Sequence, residues 1–273
     1  MSDVLQTAVE AANAAGQVLK GKLGKVTSIG FKGGINLVTE MDREAEQVII
    51  NIIKRDFPGH GILSEEGGGK LADSDFKWII DPLDGTTNYA HGLPCYAVSI
   101  ALEKEGEVVL GVVFNPVLNE LFTAQKGKGA FRNGSRIVVS GTQKLKRGLL
   151  ATGFPYDVHE DPMSNLKHFA NFLVSAQAVR RSGSAALDLC YTACGIFDGF
   201  WEVKLHPWDV AAGSLLVKEA GGQDSDFRGG TFNHYAQETL ASNGHIHSQM
   251  LAVLALDAGW VSQPLGRGRE VNS

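Results

Sequence analysis

Two carboxylates three residues apart, Asp81 and Asp84, sit where the apolar run Trp78-Ile79-Ile80 ends. The run reads as a buried strand, and Asp81-Pro82-Leu83-Asp84-Gly85 reads as the turn that breaks it. Thr86, Thr87 and Asn88 follow, residue types that begin a helix. Two acids at a strand end therefore face a helix N-terminus. Hard divalent cations take oxygen ligands, and free amides at a helix start take an anion. A cation and a phosphate could share residues 81–87. Taken alone, the same string also describes a polar turn closing a strand.

Other acids stand at element ends. Glu65 closes the short strand signal Ile62-Leu63-Ser64, and Asp209 lies in His206-Pro207-Trp208-Asp209, where Pro207 opens a helix. Locally, Asp209 reads equally well as a helix-capping acid. Asp42, with Glu44 and Glu46, falls in the first turns of a helix, where the dipole favours acids. Four carboxylates on rigid ends, Glu65, Asp81, Asp84 and Asp209, fit a site with two hard cations about 3.5–4 Å apart, which clamps the oxygens of a phosphoryl transfer. Mg²⁺ suits such ligands, completing its shell with water and phosphate. The motifs offer no Ser-His pair and no thiolate, so water is the expected attacker. Thr86 is the candidate to aim it, with its amide on the phosphate and its hydroxyl on the water.

The elements that must position these groups follow from periodicity. Val4, Ala8, Ala11, Ala15 and Val18 predict a helix over 3–20, and residues 21–34 a glycine-rich loop with a short strand. A second helix starts in 39–42 and carries Ala45, Val48, Ile49, Ile52, Ile53 and Phe57 on one face. Residues 96–104, 107–115 and 120–125 read as an antiparallel meander, and Arg132-Asn133-Gly134-Ser135 as a further hairpin turn. From about residue 145 strands (149–152, 178–181, 199–203, near Gln223, 238–242) alternate with helices (161–175, 184–194, 208–220, 246–256). The expected class is α+β / α/β: an antiparallel sheet in an N-terminal half, 1–145, and a mixed, partly parallel sheet in a C-terminal half, 146–273. Residues after about Val261 lack pattern and should fray.

Composition narrows the partners. The 273 residues are 44% hydrophobic and 20% charged with net charge −5, an ordinary globular balance that argues against nucleic acid as a direct partner. The basic cluster Lys144, Lys146, Arg147 reads as a solvated loop. Three cysteines cannot build a disulfide framework, and Cys190 and Cys194 share an apolar helical pattern as packing residues. No apolar run approaches the roughly 20 residues that span a membrane, so a reducing cytoplasm is the expected location.

Beyond these readings, the chain resembles the inositol monophosphatase family of Mg²⁺-dependent, lithium-sensitive sugar phosphatases over nearly all of residues 1–260. The resemblance is carried by Leu37-Val38-Thr39-Glu40-Met41-Asp42, Leu63-Ser64-Glu65-Glu66, the stretch from Trp78 to Asn88, Lys126-Gly127-Lys128-Gly129-Ala130-Phe131, and Trp208-Asp209-Val210-Ala211-Ala212-Gly213. It implies a layered αβαβα sandwich and a homodimer. It also implies a first metal on Glu65, Asp81 and the Leu83 carbonyl, and a second on Asp81, Asp84 and Asp209, with a third, weaker ion near Glu65. The phosphate would sit on the amides of Gly85 and Thr86. Asp84, Gly183, Ser184, Ala185 and Glu202 match substrate-contacting positions. Asp42 matches the acceptor behind the Thr86 hydroxyl, so the implied catalytic set is Glu65, Thr86 and Asp42.

Two positions depart from the pattern. Asn36 stands where Asp is common, which bears on the third ion, and Lys204 stands where Gly is usual. Lys204 could bring a charge to the pocket mouth or point to solvent. Arg180 and Arg181 could serve a dimer contact or a substrate carboxylate. The leading function is hydrolysis of inositol 1-phosphate and related polyol phosphates, a small-molecule phosphomonoesterase reaction. The Thr87-Asn88-Tyr89-Ala90-His91-Gly92 continuation fits that branch. A fructose-1,6-bisphosphatase or dual-activity sugar phosphatase is the alternative of the same class. A non-catalytic role as a partner in transcription antitermination, known among bacterial relatives, is the alternative of a different class.

Overall fold

The computed structural model describes residues 3–23, 29–32, 36–67, 74–160 and 165–256, with backbone alone for 29–32 and 36–39. The expected fraying after Val261, the start of the helix expected at 161, and the Asn36 side chain all lie outside the described residues. Helix α1 (Val4–Lys22) and helix α2 (Glu40–Asp56) lie side by side as the first layer. The buried face of α1 is Ala8, Ala11, Ala12, Ala15 and Leu19, small enough for α2 to bring Ala45, Ile49, Ile50 and Ile53 against it. A short antiparallel hairpin, β1 (Ile29–Lys32) and β2 (Asn36–Thr39), leads into α2.

Under these helices lies a seven-stranded sheet in the order β3 (Gly61–Ser64), β4 (Phe76–Asp84), β5 (Ala97–Lys104), β6 (Glu107–Asn115), β7 (Glu120–Gln125), β8 (Gly129–Arg132), β9 (Ser135–Ile137). The meander forms where expected. Its β8–β9 turn puts Asn133 and Gly134 at φ 50° and 78°, the left-handed pair a two-residue hairpin loop requires. One feature departs from the expected antiparallel sheet: edge strand β3 runs parallel to β4. The short helix α3 (Thr86–Ala90) joins β4 towards β5.

The second sheet has the order β11 (Ala178–Arg180), β10 (Leu149–Thr152), β12 (Gly199–Val203), β14 (Glu238–Ser242), β13 (Gln223–Ser225). Strand β10 is parallel to β11 and to β12, while β12, β14 and β13 pair antiparallel. Helices α5 (Ala185–Ala193) and α6 (Pro207–Glu219) fill the space between the two sheets. Helices α4 (Leu166–Ser175) and α7 (His247–Leu254) cover the far side. The layers therefore run αβαβα. No described helix is long and apolar enough to cross a membrane, and Cys95, Cys190 and Cys194 are all free thiols.

The central layer is thin because its contacts are made by small residues. A Cβ on Gly213 would stand 2.6 Å from Leu189 Cβ, and a Cβ on Gly111 would stand 2.7 Å from the Ala212 carbonyl oxygen. The second contact meets backbone, which cannot swing aside, and it fixes how closely α6 lies on β6. Gly111→Ala should therefore cost about 1–3 kcal/mol through overpacking, read as a lower midpoint in urea denaturation. An unchanged midpoint would show that α6 can ride outward without loss.

Candidate active site

Strand β4 does not stop at Ile80, as the turn signal suggested, but runs to Asp84. It does so through a bulge: Asp81 pairs with Ser99 and Asp84 with Ala97, so two residues on one strand, Pro82 and Leu83, lie against one on the other, Val98. Side chains alternate along a strand, so residues three apart normally face opposite sides. The extra residue turns Asp81 and Asp84 to the same side. Pro82, with no N–H to give a ladder, sits inside the bulge, and β3 has already ended alongside.

The parallel pairing of β3 has a direct consequence here. Ser64 aligns with Ile80, and the Glu65 amide donates to the Ile80 carbonyl at 3.2 Å, so Glu65 leaves its strand beside Asp81. Asp209 arrives from the first turn of α6. One of its oxygens accepts the His206 amide at 2.7 Å, which is the capping role. It also joins the cluster: ligand oxygens of Asp81, Asp84 and Asp209 lie within 4.8 Å of one another. The capping bond and the place in the acidic cluster coexist in this one side chain. Glu65 is outside that trio of oxygens but lines the same cavity and repels Asp81 and Asp209.

Burial raises all three acids, and repulsion from neighbouring carboxylates adds to it for Asp81 and Asp209. Asp81 is pushed well above its ordinary value by burial, then by Glu65, Asp84 and Asp209, against one opposing bond from the Leu83 amide at 2.9 Å. Asp209 is raised by burial and by Asp84. Asp84 rises to about 6 through burial, opposed by the Ser184 hydroxyl at 2.5 Å and the Ala186 amide at 2.8 Å. Ser184 is also the N-cap of α5. Its side chain, expected among the substrate contacts, is thus given to Asp84, while Gly183 and Ala185 line the cavity beside it. An all-oxygen donor set with this repulsion fits a hard divalent cation.

Gly85 adopts φ 92°, and a Cβ there would stand 2.9 Å from the Cys95 carbonyl oxygen, so only glycine fits. Helix α3 behind it is just five residues long. Thr86 Oγ1 lies 3.1 Å from the Leu83 carbonyl oxygen and 3.3 Å from Asp42 Oδ1, and both Thr86 and Asp42 are buried. Asp42 therefore meets Thr86 although 44 residues separate them. Asn88 ties the two sheets' connections together, donating to the carbonyls of Cys95 at 2.7 Å and Ser182 at 2.8 Å.

Glu202, on β12, also lines this cavity. A Cβ on Gly153 would stand 2.2 Å from its carboxyl oxygen, so the carboxyl group lies directly on Gly153. Burial, then Asp188 and Asp209, raise Glu202 well above its ordinary value, while Arg181 opposes. Four participants escaped sequence reasoning. Gly153, Tyr156, which bonds Thr87, Asp157 and Asp188 all line the cavity of ≈ 680 Å³. Asp188 is buried, takes the Ser182 hydroxyl at 2.5 Å, and had one signal: a single acid in the apolar run Ala185-Ala186-Leu187-Asp188-Leu189-Cys190. Lys204 turns towards the cavity mouth, its Nζ 2.6 Å from Asp157 Oδ2. The connections after β10, β11 and β12 all reach this cavity, so it opens at the carboxyl ends of the parallel strands.

Comparison with known proteins agrees with this geometry. The inositol monophosphatase family matches residues 1–257. An inositol-1-monophosphatase of Mesorhizobium japonicum is 45% identical over 232 residues, 84% of this chain and 87% of that protein. A protein named Nus factor SuhB, from Pseudomonas aeruginosa, is 44% identical over 238 residues, again 84% of this chain and 87% of the relative. The solved inositol monophosphatase of Anabaena (Nostoc) sp. PCC 7120 superposes with a TM-score of 0.84 at 45% identity, covering 92% of this chain and 94% of that one.

The Asp84 shift carries a pH prediction. Its folded value near 6 lies above the ordinary 3.8, so its contribution to the metal-free fold is full below about pH 4 and lost as pH rises through about 6. Cations bind the ionised carboxylates, so their stabilisation grows across the same window. The gain in Tm on adding Mg²⁺ should be small at about pH 5 and larger at about pH 7.5. Equal gains at both would mean that the bound cation does not use Asp84.

Proposed function

Because the chain belongs to the inositol monophosphatase family, we propose that it is a divalent-metal-dependent phosphomonoesterase acting on inositol 1-phosphate and related polyol phosphates. The observation that supports this reading most is the convergence of Asp81, Asp84 and Asp209 within 4.8 Å at a cavity that Glu202 also lines. Glu65, Asp81 and the Leu83 carbonyl would hold one ion, and Asp81, Asp84 and Asp209 another. Mg²⁺ is the proposed metal, in two or three ions, with inhibition by Li⁺. Bound cations supply charge neutralisation on the phosphate and a lowered pKa for the attacking water.

The chain's own residues do the positioning. Amides of Gly85 and Thr86 take the phosphate oxygens, on a loop that Gly85 allows to approach closely. Thr86 Oγ1 has one proton and two acceptors within reach, Asp42 and the Leu83 carbonyl. With Leu83 serving a cation, the proton goes to Asp42, and the Thr86 oxygen is left to accept a hydrogen bond from water. That bond aims the water in line with the leaving oxygen. The water oxygen–phosphorus bond forms as the phosphorus–alcohol oxygen bond breaks. One of the water's two protons ends on the leaving alcohol and the other stays on the phosphate. Asp42 does not touch the substrate in this account; it orients Thr86. Glu202 accepts from substrate hydroxyls.

A homodimer in the cytoplasm, and the division at about residue 145, belong to the same proposal. The name Nus factor on the Pseudomonas aeruginosa relative favours a second role, as a protein partner of transcription antitermination, which needs a surface and no active site. Retention of that partner by Asp81→Asn protein in a pull-down would separate the roles.

Phosphate release from inositol, sugar and nucleotide phosphates with Mg²⁺ tests the main reading. Asp81→Asn should lower kcat by orders of magnitude; near wild-type turnover at saturating Mg²⁺ would sink the metal assignment. Thr86→Ala should cost roughly 10²-fold in kcat with metal affinity little changed. Asp42→Asn should cost less, and the double variant should be far from additive because the pair acts as one unit. Additive losses would show that the hydroxyl does not steer the water.

A further inference from the structure

Five described non-glycine residues have a left-handed backbone, and Lys204, at φ 61°, is the one of them that lines the cavity. Three of the others are asparagines, which tolerate this conformation, and Glu105 forms a hairpin turn with Gly106. Lysine has no short side chain to satisfy such a backbone, so the strain points to what the side chain does. The backbone is held there by the Lys204 amide, which donates to the Gln237 carbonyl at 2.7 Å. The ammonium is carried to the cavity mouth, 2.6 Å from Asp157 Oδ2.

That ion pair is asymmetric. The Lys204 side chain is 23% exposed and Asp157 49%, so the lysine is the placed member and the aspartate the solvated one. Asp157 hangs from the stretch after β10, Lys204 from the turn after β12, and Arg181 from the turn after β11. Two cations thus stand over a floor of acids. Neither belongs to the floor: Glu65, Asp81, Asp84 and Asp209 answer to cations, and the scissile phosphate answers to those cations and to the Gly85 and Thr86 amides.

We propose that Lys204 is a specificity-determining residue whose ammonium takes a second phosphate group on the substrate, remote from the one being hydrolysed, with Asp157 as the internal anion it releases. The proposal rests on the phosphatase reading above. Ion pairs with a solvated partner are weak, whereas a phosphate brings up to two charges and three acceptor oxygens. Exchange of Asp157 for phosphate is therefore downhill. Arg181 faces the same space and completes the cationic rim. Asp157 acts as a built-in competitor, and this fixes the sign of its removal.

The test compares fructose 1,6-bisphosphate with inositol 1-phosphate, by steady-state phosphate release and by calorimetric binding in the presence of divalent cation. Lys204→Asn keeps a residue suited to φ 61° and removes the charge. It should raise KM and Kd for the bisphosphate about tenfold, the scale of one charged hydrogen bond, and leave inositol 1-phosphate within about twofold. Lys204→Arg should restore bisphosphate binding. Asp157→Asn should tighten bisphosphate binding. A merely structural latch gives the opposite pattern: Lys204→Asn and Asp157→Asn both weaken both ligands, and that result overturns the proposal. Wild-type protein that hydrolyses neither compound yet shows the Lys204-dependent difference in Kd would defeat the phosphatase reading alone. Hydrolysis of both, with no such difference, would defeat this one alone.

Discussion

Repulsion among carboxylates that the fold itself has buried is the constraint on which the rest of this structure depends. Moving one ionised group out of water costs several kcal/mol even after relaxation, and three here place oxygens within 4.8 Å. The protein answers with fixed donors on each acid: the Leu83 amide on Asp81, the Ser184 hydroxyl and Ala186 amide on Asp84, the His206 amide on Asp209. These donors hold orientation without neutralising charge. The cluster is left hungry for cations, and each acid already points the way a cation would need.

The layers can be understood as the means of delivering those donors. Asp81 and Asp84 come from the first sheet, Asp209 from α6, and the bonds that restrain Asp84 from the start of α5. The helix layer packed on the first sheet brings these three sources to one point. The close contact of Gly111 with Ala212 and of Gly213 with Leu189 keeps that layer thin. Packing and chemistry share one short stretch here, with Ala211-Ala212-Gly213 following Asp209 after Val210 alone.

Much of this was legible from residue types. The meander, the alternating second half and the four acids were visible because each has a local signature of period, turn or element end. Asp42 was visible only through the family motif, since its neighbourhood reads as a helix start and its meeting with Thr86 spans 44 positions. The bulge was hidden because Asp-Pro-Leu-Asp-Gly has the composition of a turn, and composition does not tell a turn from an interrupted strand. The parallel entry of β3 was hidden because pairing direction leaves no trace in a four-residue run. Gly153 and Asp188 take their meaning from Glu202 and Ser182, across the chain, where no periodicity reaches.

The two-against-one pairing of β4 with β5 gives this site a parity. Residue identities around Asp84 can drift one at a time, each at its own modest cost. The count between Asp81 and Asp84 matters for another reason. With one residue fewer the two acids would still share a face of a regular ladder, but there would be no room between them for both Pro82 and Leu83. Leu83 gives its amide to Asp81 and its carbonyl to Thr86. The bulge therefore lets four consecutive residues present two carboxylates on one face, with a backbone amide and a backbone carbonyl set between them.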